Sequence, residues 1–327
     1  MQFGILVAVV MLASVAGAAN RENDDQVDDQ GNFFGKSDGE TGKKIDVSDD
    51  EEEEDDLVIA AEHGIILELD TDTVIYEKGA DDIVFCGFLP RLMTCILLVE
   101  ADRPLDTLIT VHQKTNSLTP QVSSANIHSG DSITLGDLMN AVLVANSQEA
   151  AVAIALYLSD GDMDDFLNTM NSRAAQLGAT NTVFRNVTGY YSESALSLTT
   201  VRDAALIACH AISLDYILNK SNQRYVDLTV NGKTRKIYTR NNLIDSGTTT
   251  YMKQASGLAI YGSQEAGSAM ASMIIDKNLK FVSVAISSKG VSSTYTDITA
   301  MLKYSLNEYK VYTVIKKNEP YKEIKVL

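Results

Sequence analysis

Positive charge is in short supply in this chain. Its 27 Lys and Arg stand against 44 Asp and Glu, a formal net of −17 over 327 residues. An acidic chain with no evident basic patch argues against a nucleic-acid partner. Cysteine and histidine are scarce as well. Cys86, Cys95 and Cys209 are an odd number without metal-like spacing, so neither a disulfide framework nor a zinc site is indicated. His63, His112, His128 and His210 are scattered, and structural roles are expected of all four. No cofactor and no metal is therefore expected. The apolar run at residues 5–15 has about 11 residues, too few to span a bilayer comfortably.

What is present divides the chain into four segments. Residues 1–19, an apolar run followed by Ala16-Gly17-Ala18, read as a secretory signal cleaved near Ala18 or Ala19, although Lys and Arg are missing from its start. An uncleaved signal anchor is the alternative, and no other integral membrane segment is expected. No Cys follows the run, so nothing suggests a lipid anchor. Residues 20–56 carry 16 Asp and Glu against 4 Lys and Arg, a local net of −12. Such a segment buries too little apolar surface to offset its ordering entropy and reads as a disordered acidic tether. Residues 57–309 suit one large domain, and 310–327, alternating around Val311, Val314, Ile315 and Ile324, suit a short β-extension.

Within the domain, short apolar runs at 57–61, 65–69 and 74–76 predict strands, and the run at 92–101 has helical spacing. Between them lies Cys86-Gly-Phe-Leu-Pro-Arg-Leu-Met-Thr94, at the mouth of that helix. A helix N-terminus offers unpaired N–H groups and a positive dipole end, which favour a developing oxyanion or a reactive side chain. Phe88 and Arg91 stand there. Further on, residues 102–131 read as irregular. Thr134 and Asp137 open a helix in the manner of a capping box, and a second helix at 149–158 follows almost at once. Gly178 reads as a helix C-cap, and Asn231-Gly232 as the turn of a hairpin between 225–230 and 234–238. Strands at 268–275 and 280–287 and an amphipathic helix at 293–309 close the domain.

These segments, in this order, resemble the serine D-Ala-D-Ala carboxypeptidases, the low-molecular-weight penicillin-binding proteins. The first motif of that family is Ser-x-x-Lys, followed by Met-Met-Thr; here Leu92-Met93-Thr94 matches, Phe88 takes the serine position and Arg91 the lysine position. The second motif, Ser-x-Asn between two helices, meets Asn146-Ser147-Gln148 inside a matching Leu143–Ala151 context. The resemblance is densest over 164–208, including Val187-Thr188-Gly189-Tyr190 where the family has Pro-His-Gly-Leu. The third motif, Lys-Thr-Gly, meets Ala259-Ile260-Tyr261 in a gapless register over 256–267. A competing register gives Thr248-Thr249-Thr250, also without lysine. The resemblance implies a mixed α/β fold of the β-lactamase and transpeptidase type, an antiparallel sheet flanked by helices with an all-helical lobe.

It also implies a chemistry that these residues do not carry. In the family the motif serine attacks the D-Ala carbonyl, the first lysine takes its proton, and the lysine of the third motif holds the substrate carboxylate. A phenyl ring at 88 cannot attack, and an arginine at 91 stays protonated. Loss of a nucleophile alone costs on the order of 10⁶ in rate in a triad enzyme. The expected site thus contains no catalytic residue. The expectation is a secreted, cell-wall-associated, inactive homologue that binds a peptidoglycan stem peptide or a wall protein. Two alternatives stand beside it: an enzyme using Cys86, Ser147 or Tyr261, and a vestigial structural paralogue. Deleting residues 20–56 should shift the melting temperature by less than about 2 °C in a calorimetric scan, because a segment with no apolar face contributes little to stability. A larger fall would show that the segment docks on the domain.

Overall fold

The computed structural model describes residues 57–85, 87–120, 125–263, 265–276 and 279–309. The expected signal, tether and C-terminal extension lie outside the described residues, as does Cys86. The chain begins with β1 (His63–Glu68) and β2 (Thr73–Lys78), a short β3 (Val84–Phe85) and α1 (Leu89–Glu100). It continues through β4 (Leu108–Thr110), α2 (Thr115–Leu118), β5 (Ser132–Thr134), α3 (Leu135–Ala145), α4 (Gln148–Leu158) and α5 (Met163–Gln176). Then come β6 (Leu198–Thr199), α6 (Val201–Ser213), α7 (Asp215–Ser221) and the hairpin β7 (Tyr225–Val230) and β8 (Lys233–Tyr238). Three long strands and a helix finish it: β9 (Ala255–Gly262), β10 (Ser268–Asp276), β11 (Leu279–Ser288) and α8 (Val291–Glu308).

One antiparallel sheet, ordered β2-β1-β11-β10-β9, organises the domain. Successive side chains of a strand point to opposite faces, so each strand feeds two cores. Ile66, Met270, Ile274, Phe281 and Ala285 pack under Ile298, Met301 and Leu302 of α8. On the other face Ile65, Leu67, Ala271, Val282 and Val284 join α1, α3, α4 and α6 in the larger core. Within that core α1 is buried at nine of its positions. A helix apolar on every side has to be enclosed by other elements. Here α3, α4, α5, α6 and α7 all pack against it.

Several local expectations match the structure. Thr134 accepts a hydrogen bond from the Asp137 N–H at the start of α3, and Asn231 and Gly232 both take positive φ in the β7–β8 turn, as a two-residue I′ turn requires. Gly178 has φ +84 just past α5. Others need correction. Residues 102–131 hold β4 and α2 rather than being wholly irregular. Residues 57–61 form no strand, because their backbone groups are paired by side chains instead. The N–H groups of Ala60 and Ala61 donate to the buried Asp297 carboxylate on α8 at 2.8 and 2.9 Å. Lys78 Nζ donates to the carbonyls of Ile59 and Ala61 at 3.1 and 2.8 Å.

Asp297 also accepts from Ser288 Oγ at 3.1 Å, so one carboxylate ties the entry of the domain to α8 and the end of β11. Asp297→Ala should therefore lower unfolding free energy by about 2–4 kcal/mol, since it strands buried donors, whereas Ser288→Ala should cost about 1 kcal/mol. Urea denaturation followed by circular dichroism measures both. Equal effects would show that the carboxylate is not the tie.

Candidate active site

The stretch at residues 87–91 is the meeting point of three elements. Phe88 is the N-cap residue of α1, makes no side-chain cap, and is followed by Pro90 in the first turn. Proline there is well placed, because an N–H of the first turn has no helical partner to lose. The Phe88 ring is 1% exposed and Arg91 only 5%. Together with Leu92, Val142, Leu143, Asn146, Leu258 and Ala259 they line a half-open space of about 10 Å³. That is room for roughly one water molecule.

The helix junction that supplies Asn146 has its own logic. Asn146 ends α3 with φ 55° and ψ 35°, the left-handed conformation that Asn tolerates better than most residues. Ser147 then starts α4 as its N-cap, its side chain accepting from the Ala150 N–H at 3.1 Å. A left-handed residue and a cap in succession make a sharp break between two buried helices. The break aims the Asn146 amide across to β9, where Nδ2 donates to the Ile260 carbonyl at 3.1 Å. Gln148 is the first residue of α4; its Oε1 is buried without a hydrogen-bond partner and it does not line the space beside Phe88.

On β9 the alternation of faces separates the third group of residues. Ala259 lines the half-open space, and Tyr261 packs on the same core. Ile260 points the other way, into the core beneath α8. The Tyr261 ring lies against Gly87, where an added Cβ would come within 2.5 Å of it. It also makes an edge contact with Phe85 at 5.5 Å, and Phe85 meets Tyr191 at 5.4 Å. Residues 248–250 lie in the turn region before β9, so the register through 259–261 is the one that borders the α1 N-terminus.

A buried guanidinium is costly unless it is paired. Arg91 donates through Nη1 to the Thr188 carbonyl and sits 5.9 Å from the centroid of the Tyr261 ring. The Thr188 loop comes this close because Gly189 has φ +66 and lies against the Gly87 carbonyl, where a side chain would clash. Thr188 and Gly189 were not among the residues expected at the site. The signal for them was the glycine kept at 189 in the otherwise altered Val187-Thr188-Gly189-Tyr190.

The structure thus brings Phe88, Arg91, Asn146 and Ala259 around one space and Tyr261 onto Arg91. It leaves Ile260 contributing a carbonyl only, and sets Gln148 aside. Of the residues weighed as substitute nucleophiles, Ser147 is 0% exposed and occupied as a cap. Cys95 and Cys209 are free thiols; burial pushes Cys95 far up and Cys209 up to about 12, so neither is a thiolate near neutral pH. Among the described residues no three His, Cys, Asp or Glu side chains are grouped to hold a metal ion, and no helix is long and apolar enough to cross a membrane.

A family model described as D-alanyl-D-alanine carboxypeptidase matches residues 49–290. The chain is 23% identical over 270 residues to the D-alanyl-D-alanine carboxypeptidase DacF of Bacillus subtilis, covering 81% of this chain and 67% of that one. It is 23% identical over 269 residues to DacC of Escherichia coli, covering 79% and 64%. The chain therefore spans about two thirds of the length of these relatives. Among solved structures, an ampicillin-bound penicillin-binding protein of Listeria monocytogenes superposes with a TM-score of 0.67 at 21% identity, over 77% of this chain and 99% of that one. A DD-transpeptidase of Streptomyces gives 0.69 at 22%, over 76% and 98%. At these identities the structural likeness speaks for the fold.

The Asn146-Ser147 break yields a test of its own. Ser147→Ala should cost about 1 kcal/mol through loss of the α4 cap, and Ser147→Thr, which keeps the hydroxyl, should cost less. Thermal unfolding of the two variants measures the difference. Equal losses in the two variants would mean that the hydroxyl does not act as a cap.

Proposed function

We propose that this chain, which belongs to the D-alanyl-D-alanine carboxypeptidase family, is an exported, catalytically inactive member that acts by binding at the peptidoglycan wall. The observation that carries the proposal is Phe88, a buried phenyl ring at the α1 N-terminus where the resemblance places the nucleophile. Arg91, in the position of the base, keeps its proton and is engaged with Thr188 and Tyr261. Ala259, in the position of the carboxylate-binding lysine, offers no charge. The reading of the cleft as an active site served by other residues loses Ser147, which is needed as a cap, while Cys86 lies outside the described residues.

The small, half-open space of about 10 Å³ also bears on the ligand. A stem peptide would need Phe88, Arg91 and Ala259 to move apart, which favours a wall contact on another part of the surface. The relatives are named D-alanyl-D-alanine carboxypeptidases, an activity the resemblance ties to the cell wall, which supports an extracytoplasmic setting for this chain.

Incubation of the mature protein with a fluorescent penicillin should leave no labelled band on a denaturing gel. Phe88→Ser alone should also stay unlabelled, because the new hydroxyl has no base beside it and the residues of such a site act as a unit. A hydroxylamine-sensitive band on the unsubstituted protein would overturn the inactive reading. Labelling of Phe88→Ser would show that Arg91 and Ala259 are not disabling.

A further inference from the structure

One stretch of this acidic sequence is locally basic, although Lys236 is its one cation on the outer face of the hairpin it forms. Residues 220–240 contain six Lys and Arg against the single Asp227, in a chain whose formal net charge is −17. Most of that span is the β7–β8 hairpin, which forms a two-stranded sheet of its own. Its inner face is fixed to the domain: Val226, Leu228, Val230 and Ile237 are buried in the main core. Its tip is fixed too, with Asn231 accepting from the Ser132 N–H at 2.8 Å and donating to Asp131 at 2.7 Å. Arg235 reaches back to the Ala125 carbonyl. The outer face is therefore held in place by the fold before any ligand arrives, which lowers the ordering cost of binding.

That outer face is built from three cross-strand pairs. Tyr225 opposes Tyr238, Asp227 opposes Lys236, and Thr229 opposes Thr234. The tyrosines are 48% and 63% exposed with ring centroids 6.1 Å apart. Lys236 stands 4.0 Å from the centroid of the Tyr225 ring, and no ion pair joins it to an acid among the described residues. Two threonine hydroxyls share a hydrogen bond at 2.9 Å at the far end. Not one aliphatic side chain is on this face.

We infer that the outer face of the β7–β8 hairpin is a docking platform for a glycan that carries carboxylates. A protein interface would place apolar side chains at its centre and keep charge to its rim; here Asp227 and Lys236 face each other across the strands in the middle. Lipid insertion needs the aliphatic groups that are missing. A sugar ring has apolar C–H faces suited to tyrosine rings and hydroxyls suited to Asp227, Thr229 and Thr234. Lys236 adds a cation for a carboxylate at the edge of the stacked ring. A long nucleic acid also offers rings and negative charge, but its phosphate backbone calls for a row of cations, and this face presents Lys236 alone, opposite Asp227. The assignment leans on the wall-binding reading for its choice of polymer, and on nothing about catalysis.

The test is isothermal titration of the mature full chain with three probes. The first is a peptide-free tetrasaccharide of alternating N-acetylglucosamine and N-acetylmuramic acid, whose lactyl groups are carboxylates. The second is the neutral tetrasaccharide of N-acetylglucosamine, and the third a single-stranded oligonucleotide of similar length. The acidic tetrasaccharide should bind about threefold or more tighter than the neutral one, the size expected of one exposed charge pair. Tyr225→Ala with Tyr238→Ala should weaken it about tenfold. Lys236→Gln should remove most of the preference over the neutral probe. A melting scan checks the tyrosine variant for folding, and the exposed Lys236→Gln variant tests the same platform where the tyrosine variant fails to fold. No binding of the acidic probe, equal binding of the two tetrasaccharides, or tighter binding of the oligonucleotide each overturns the proposal. A penicillin-labelled band on the gel would sink the inactive reading and leave this one standing.

Discussion

Burial of α1 on every side is the constraint on which the rest of the domain depends. A helix with nine enclosed residues fixes the positions of the elements around it, and its N-terminus has to be closed by whatever stands there. Three elements close it: the α3–α4 junction, β9 and the Thr188 loop. Interiors pack at crystal-like density, so the side chains at this meeting point have to fit one another in volume as well as chemistry. Phe88 is large where the resemblance expects serine, and Ala259 is small where it expects lysine. Both line the same space, and the space left over is about 10 Å³. Swaps that conserve total volume are the ones cores accept most readily. The two departures thus read as one compensated change, and reversing either alone would open a cavity or overfill the site.

The α3–α4 junction obeys a different constraint. Two buried helices that follow each other with one intervening residue pair need a sharp reversal, and a left-handed residue followed by an N-cap supplies it. Asn146 and Ser147 meet both requirements, so local geometry accounts for them without any reference to catalysis. Gln148 is not explained in this way. Its buried Oε1 has no partner, and nothing in the structure accounts for that choice of residue.

Much of the fold was legible from periodicity and from turn chemistry. The β10, β11 and α8 segments, the Thr134 cap, the Asn231-Gly232 turn and Gly178 all follow from local rules that hold within a few residues. What was not legible depended on partners far along the chain. Residues 57–61 look like a strand because they are apolar, yet their hydrogen bonds go to Lys78 and to Asp297, more than 230 positions away by the separations of the Asp297 bonds. The positions around Phe88 were legible only through the order of the resembling motifs. That the space between them is so small was not, because its size depends on how the rings of Phe88 and Tyr261 fill a shape set by three distant segments. The Thr188 loop was missed because a main-chain carbonyl leaves no mark in a sequence; only Gly189 hinted at the close approach.

The charge of the chain has to be read in the same local way. A total of −17 suggests an acidic surface throughout, but residues 20–56 alone carry −12 of it. Over distances beyond a Debye length of about 8 Å at physiological salt, exposed charges scarcely sense one another. The basic hairpin therefore keeps its own character at its surface, whatever the sum for the chain. The same screening limits what its charge can do: Lys236 pulls on an anion only at contact, so it cannot by itself gather a ligand from a distance. Selectivity on such a face has to come from groups that act at contact, which are the two tyrosine rings and the hydrogen-bonding side chains beside them. Charge then decides between ligands that already stack. That ordering is why the tyrosines, and not Lys236, set the affinity expected of the hairpin, and why the net charge of the chain does not by itself bar an acidic ligand there.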